Sequence, residues 1–357
     1  MRFAIAALLV LHGLIHLLGW KLAPSRAVAL VWTACAVALI LAALLRLMDR
    51  DAWWAPAAIA IVVSQVLIVR QWSDAKAGTI ANVILIVPIV VGFATARFHR
   101  ENEEVVRELL ARAPTTPPPE VTPADVANLP PPVRRWLETA GAVGKPRART
   151  ARLHQRGGMR TERGGPFLDA RADQYFTVDE PGFVWTIDVT MMGIVPVVGR
   201  DTSIDGRGRM YIRAGGLITV ADGTGERFDQ GTLLRWLGEI VWFPSGALSP
   251  AVTWQAIDDR SARATVSHRG TSATAVFRFD ERGRVVGLAA KRWFDGKSLE
   301  DWEIPITEWG VVRGVEIPTK GTAIWRIPQD RGGDFEYYRW EITDVEANAP
   351  ALWSSSE

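Results

Sequence analysis

Four uncharged apolar stretches fill the first hundred residues, at 3–19, 27–45, 53–69 and 79–96. Each approaches the ~20 residues that an α-helix needs to cross the ~30 Å hydrocarbon layer. None carries Asp, Glu, Lys or Arg inside it. A soluble core does not use four such helices in succession. The spacing predicts an all-α, four-helix transmembrane bundle over residues 1–97, up-down-up-down, with short joints at 20–26, 46–52 and 70–78. The first stretch follows Arg2 as a signal peptide would, but it holds two histidines and no small-x-small cleavage site follows it before the next span. Trp20, Trp53, Trp54 and Trp72 fall at the expected span ends, where amphipathic rings are favoured.

Charge divides the chain at the same place. Residues 1–100 hold nine Lys and Arg against three Asp and Glu, whereas 101–357 hold 32 against 36. The front is a membrane composition and the rest a soluble one. The slightly acidic balance of the rest excludes a phosphate-backbone footprint, so no nucleic-acid partner is expected. The single cysteine, Cys35, excludes a disulfide framework or an iron–sulfur cluster within one chain. Basic residues at the span ends number seven on the terminal side (Arg2, Arg46, Arg50, Arg97, Arg100, Arg107, Arg112) and four on the other (Lys21, Arg26, Arg70, Lys76). This count favours a multi-pass protein of a bacterial inner membrane with its soluble domain in the cytoplasm.

Polar groups inside spans are costly and therefore informative. His12 and His16 lie one helical turn apart in LHGLIHLLG, residues 11–19. With Gln65 on the third span and Asn82 on the fourth they fall at similar depth, in the half of the bilayer away from the soluble domain. The cluster His12, His16, Gln65 and Asn82 reads as interhelical hydrogen-bond glue or as a ligand, quinone, metal or proton site.

Residues 98–112 continue the fourth helix with a narrow stripe of Val105, Val106, Leu109 and Leu110. Eight of the next twenty residues, 113–132, are proline, which predicts a semi-rigid spacer and a domain boundary over 98–132. Beyond it, in 133–357, the period changes to two. Phe183, Trp185, Ile187 and Val189 alternate with Val184, Thr186 and Asp188, and similar patterns run through 273–280 and 337–342. Turn signals such as Asp205-Gly206 and Asp295-Gly296 separate them. The pattern predicts a mainly-β domain, a curved antiparallel sheet of roughly ten or eleven strands with one or two packed helices. One helix begins at Asp229 as N-cap and turns Leu233, Trp236, Leu237 and Ile240 to one side.

An apolar helix inserted between strands needs a concave face to bury against. On strand order and that inserted helix, residues 147–345 resemble the LolA/LppX-like lipoprotein-carrier fold, an open β half-barrel with helices plugging its mouth. With LHGLIHLLG in front and RWLGEIVWFPSGALSP at 235–250, the whole chain resembles an uncharacterised bacterial family of four-span proteins. The resemblance implies topology and the half-barrel, and it carries no catalytic residues.

Eleven tryptophans in 101–357 are the strongest compositional signal. Such rings fill a curved sheet, line a greasy cavity or sit at a membrane surface. The residues expected to line a cavity are Trp185, Ile187, Met210, Trp236, Ile240, Trp242, Phe243, Phe277 and Trp340. Catalytic patterns are thin. His154 and His268 are the only imidazoles of this part, and no nucleophile elbow or phosphate loop occurs. The sequence thus favours a non-catalytic module, tethered to membrane lipid and binding a lipid or other hydrophobic small molecule, with no cofactor and no resident metal. The alternative is a redox, metal or ion-handling membrane protein centred on His12 and His16, with the β-domain as regulatory or assembly partner. A third is a scaffold without a small ligand.

Overall fold

A computed structural model describes residues 2–353. The chain forms two compact units. One takes the helices through Glu101 together with two strand-end segments, Met192–Val197 and Arg213–Thr219; the other takes Asn102–Met191, Val198–Ile212 and the chain from Val220 onward.

In the first unit, α1 (Arg2–His16) and the one-turn α2 (Gly19–Leu22) precede α3 (Arg26–Leu47), α4 (Trp54–Arg70), the one-turn α5 (Trp72–Ala75) and α6 (Gly78–Leu110). Four helical stretches, Arg2–Lys21, Arg26–Leu47, Asp51–Arg70 and Gly78–Leu110, are long and apolar enough to cross a membrane. Small residues let the helices close up. Ala6, Ala42, Ala43, Ala57 and Ala60 pack with Leu9, Leu39, Leu85 and Ile89. Gly19 and Gly92 lie directly under indoles, where a Cβ would come within 2.3 Å of Trp32 and 2.5 Å of Trp53. Outward-facing Leu, Ile and Val side chains are largely exposed.

The second unit is built on a single antiparallel sheet of thirteen strands: β1 (Thr150–Met159), β2 (Leu168–Thr177), β3 (Gly182–Met191), β4 (Val195–Ile204), β5 (Arg207–Ala214), β6 (Ile218–Thr224), β7 (Val252–Asp258), β8 (Ser261–His268), β9 (Thr271–Phe279), β10 (Val285–Phe294), β11 (Ser298–Val312), β12 (Val315–Arg326) and β13 (Phe335–Ala347). The spatial order is β6-β5-β4-β3-β2-β1-β13-β12-β11-β10-β9-β8-β7. First and last strands pair at the centre, Ala151 opposite Ala347. The sheet curls into a half-barrel, so inner-face residues from both wings share one core. Thirteen strands exceed the ten or eleven expected. The weak signals lie at the edges: β6 and β7 have scarcely a buried residue between them, and without a dry face there is little alternation to read.

Opposite edges, β6 and β7, must be joined, and the joining chain crosses the hollow. It forms α9 (Glu226–Glu239) and two 3₁₀ turns, Ile240–Trp242 and Pro244–Leu248. Buried residues surround α9, from Asp229 and Gly231 through Leu233, Leu234, Trp236 and Leu237. The helix starts three residues before the expected N-cap. Gly225, at φ 106°, is the cap, and the Asp229 carboxylate accepts from the Gly208 amide at 2.6 Å and pairs with Arg207 at 3.1 Å.

The end of α6 packs Val106, Leu109 and Leu110 against Tyr175 and Val184 on the outer face of the sheet. The proline-rich segment is not an extended spacer throughout. From Pro119 it pairs with the chain before β1, the Pro119 carbonyl accepting from the Arg147 amide at 2.8 Å. Val121 and Val126 enter the core through α7 (Pro123–Ala127), which a Thr122–Asp125 capping box starts. Trp136 of α8 (Pro131–Thr139) stacks with Phe277.

Candidate functional site

Eight of the nine expected lining residues meet in one buried cluster. Trp185 and Ile187 come from β3, Trp236 from α9, Ile240, Trp242 and Phe243 from the turn after it, Phe277 from β9 and Trp340 from β13. All are less than a tenth exposed. Trp242 meets Trp340 edge-on at 5.3 Å. Trp236 donates its indole N–H to the Thr177 carbonyl at 3.0 Å. These buried rings surround α9. Met210 on β5 is half-buried and outside the cluster.

A polar seam runs through this interior. Arg235 on α9 donates to Asp201 on β4 at 2.8 Å and to Glu239 at 2.6 Å. Its guanidinium lies 4.4 Å from the Trp185 ring. Glu239 also accepts from Gln174 at 2.6 Å, and Gln174 from Gln155 at 3.2 Å. Gln155 accepts from the Trp185 indole at 3.3 Å and from the Tyr338 hydroxyl at 3.0 Å. Burial holds the Asp201 and Glu239 carboxyls above the usual carboxylate range, outweighing the opposing pull of the Arg235 and Arg292 guanidiniums. Burial likewise pushes the Tyr338 hydroxyl up. Asp201 thus pairs with α9 rather than with its neighbour Arg200, which donates to Asn102.

At one end of the hollow the rings are less covered. Phe294 on β10, Trp325 on β12, and Tyr337 and Phe335 on β13 form a chain with centroids 5.2, 6.1 and 6.2 Å apart. Phe294, Phe335 and Tyr337 are only partly buried, as are Met159 and Leu168 beside the core. Several guanidiniums lie on aromatic rings near this rim, Arg339 among them at 4.1 Å from Phe167. Arg292 sits 5.0 Å from Trp302 and 5.6 Å from Trp325. Arg163 is 5.8 Å from Phe294 and 5.7 Å from Phe335. Arg160 is 4.0 Å from Phe167, and its buried Nε has no hydrogen-bond partner. Among the described residues Arg292, Arg163 and Arg160 have no carboxylate within ion-pair distance, whereas Arg339 pairs with Glu336, Arg331 with Glu300, and Arg326 with both Glu303 and Asp334. Sequence reasoning missed this rim. Spacing alone does not bring 160–167, 292–294 and 335–337 together.

The helical unit gathers the other expected group. His12 Nε2 donates to Asn82 Oδ1 at 2.8 Å, and Asn82 Nδ2 donates to Gln65 Oε1 at 3.0 Å and Ser64 Oγ at 3.1 Å. Gln65 donates to Thr79 at 3.1 Å. His16 Nδ1 donates to the His12 carbonyl at 2.8 Å, and its ring meets that of His12 edge-on at 4.5 Å. Both histidine partners can only accept, so each ring spends its N–H there. His12 Nδ1 and His16 Nε2 are left as bare buried acceptors without a partner, beside the similarly unpartnered indole N–H of Trp32. No group of three His, Cys, Asp or Glu side chains arranged to hold a metal occurs among the described residues.

Four apolar helices and a curled antiparallel half-barrel threaded by a helix define the class of protein. The model of a family of unknown function, DUF6544, matches residues 119–340, and the chain belongs to that family. No curated protein matches it. Among solved structures the chain is similar to a domain described as of outer membrane lipoprotein-sorting type from Vibrio parahaemolyticus, at 6% identity, covering 63% of this chain and 96% of that one, with a TM-score of 0.32. It is also similar to a β-barrel-like protein of the domain family DUF1849 from Brucella abortus, at 10% identity, covering 57% and 99%, with a TM-score of 0.27.

Proposed function

We propose that this chain is a membrane-tethered, non-catalytic binding module for an anionic amphiphile of the lipid class. The carrying observation is the rim. Its half-buried rings offer apolar surface for a hydrocarbon part. Arg163 and Arg160, each resting on a ring with no carboxylate within ion-pair distance, offer charge for an acidic headgroup, and Arg292, which also faces the field of Asp201 and Glu239, adds to it. The packed Trp185–Trp340 cluster then serves as floor rather than as lining. The test is native mass spectrometry of the full chain released from detergent with short-chain phosphatidylglycerol or phosphatidylcholine. Retention of phosphatidylglycerol alone is expected, with loss in Arg292→Ala and in Arg163→Ala. A chain that stays empty, or variants that retain lipid as the native protein does, end this reading.

A second reading rests on the two bare imidazole nitrogens. Here the helices handle a metal, an ion or a redox group at His12 and His16, and the β-domain is a regulatory or assembly partner. A donor N–H fixed on a carbonyl, with the other nitrogen bare, is how metal-ligating histidines are commonly held. Metal content and the absorption spectrum of the purified chain, native and His12→Ala, test it. Protein free of metal and chromophore ends it.

A further inference from the structure

The sheet has eleven hairpin connections. Nine carry charged residues between their strands, for example Asp205-Gly206, Arg269-Gly270, Asp295-Gly296-Lys297 and Arg313-Gly314. Two carry none. They are Met192-Gly193-Ile194 between β3 and β4, and Gly215-Gly216-Leu217 between β5 and β6. Turn chemistry ordinarily favours polar residues, so two apolar tips among nine charged ones call for a cause. Their side chains are not covered by protein. Met192 is 74% exposed, Ile194 62%, Leu217 45% and Ile218 69%.

These same two tips belong to the helical unit. Gly216, at φ +67°, lies against the backbone of α6, where an added Cβ would come within 2.6 Å of the Ala94 carbonyl carbon and the Thr95 nitrogen. A Cβ on Gly215 would lie 3.5 Å from Val91. Val91 sits six residues before Arg97, about 9 Å along the helix at 1.5 Å per residue. The tips therefore reach the apolar part of α6, whose neighbouring Val87, Val90 and Phe93 are also exposed. The tip backbone is prepared for a dry setting. The Gly215 amide donates to the Pro196 carbonyl at 2.7 Å, Leu217 to Ala214 at 3.0 Å, and Arg213 reaches the Leu217 carbonyl at 2.9 Å. Arg213 at the strand end has the length to place its charge at the polar boundary.

We propose that the β3–β4 and β5–β6 tips are bilayer-inserted, with Met192, Ile194, Leu217 and Ile218 in contact with lipid acyl chains. The occupant of this surface is lipid, because the surface continues the lipid-facing side of α6. The insertion does not depend on the half-barrel holding cargo.

The test uses the full chain in vesicles of phosphatidylethanolamine and phosphatidylglycerol. Cys35, buried in α3, is replaced by Ala, and single cysteines are placed by Ile194→Cys, Ile218→Cys and, as a charged-turn control, Lys297→Cys. Each carries a bimane fluorophore. Nitroxide on the acyl chains is expected to quench positions 194 and 218 several-fold while aqueous iodide leaves them unchanged; the control shows the reverse. Iodide quenching at 194 and 218 equal to that at 297 overturns the proposal, and so does quenching by neither agent, which would mean that protein covers the tips. If a labelled variant fails to fold, the unlabelled cysteines are read in native membranes by an impermeant maleimide. Positions 194 and 218 should react only after detergent is added, and reaction before detergent overturns the proposal.

Discussion

Replacing Arg235 by methionine separates a structural charge network from an ornamental one. Met retains a similar stem beside Trp185 and Phe183 but removes the guanidinium that reaches Asp201 at 2.8 Å and Glu239 at 2.6 Å. Hydrogen bonds to charged groups are each worth about 1.5–3 kcal/mol, and two are lost. Removing one partner from a buried ion pair costs about 3–5 kcal/mol, because the remaining charge stays in the interior. The two figures agree, and at neutral pH the expected fall in Tm is roughly 6–20 °C, at about 2–4 °C per kcal/mol for a domain of this size. The sign of the pH dependence follows from burial. Asp201 and Glu239 already hold their protons above the usual carboxylate range. Their contribution to stability is therefore greatest below that range and falls as pH rises through the window between the usual and the raised values. Without Arg235 the window extends upward. The loss in the variant should therefore be smaller at about pH 4 than at about pH 7 and grow as pH rises. Thermal unfolding of the full chain in detergent, followed by tryptophan fluorescence, measures both. The triple variant Arg235→Met, Asp201→Asn, Glu239→Gln should recover much of the loss and flatten the pH profile. A loss under about 1 kcal/mol, or one equal at both pH values, would refute the reasoning.

Trp236→Ala should destabilise the β-domain by about 3–5 kcal/mol in the same melt, since it empties a fully buried indole site and unpairs the Thr177 carbonyl. Asn82→Leu should weaken the helical unit by about 0.6–2 kcal/mol in a denaturing-detergent titration, because it leaves His12, Ser64 and Gln65 without their common partner. Thr122→Ala should cost about 1 kcal/mol through the lost capping box of α7, read by thermal unfolding. Gly216→Val must hold a β-branched residue at φ +67° against the backbone of α6, which adds about 1–3 kcal/mol of strain, and should expose the β5–β6 tip to protease.

What sequence could reveal depended on how local the signal was. The helices were legible because each span is a continuous run, and β3, β9 and β13 because their inner residues recur every second position. His12, Gln65 and Asn82 could be set at one depth because helical rise converts residue number into height. Thr79, which completes that network at the start of the fourth stretch, lacked the side-chain size or charge that draws notice. The start of α9 was misplaced because an Asp before an apolar stripe looks like an N-cap, whereas this carboxylate serves the Gly208 amide from inside the helix. Nothing local announced Arg235 with Asp201, or Arg292 with Trp302 and Trp325. Those pairs depend on a sheet whose curvature is set by all its strands.

The tryptophan excess has a topological origin. Pairing the first strand with the last puts β6 and β7 at opposite edges, and the chain between them crosses the hollow as α9. A helix inside a curved sheet leaves gaps of uneven width, which large rings from the sheet are suited to fill. Trp185, Trp340 and Phe277 meet the α9 segment's Trp236, Trp242 and Phe243 in that space. Much of the aromatic content that suggested a cavity packs beside the crossing helix. What it leaves uncovered is the end of the hollow where β10 and β13 carry half-buried rings beside the buried Trp325 of β12, and there Arg292 and Arg163 rest on rings. Deep cargo would have to displace Trp236 and its neighbours, whereas a ligand at the rim would leave the core intact. The same connectivity that fills the centre therefore favours recognition at the rim.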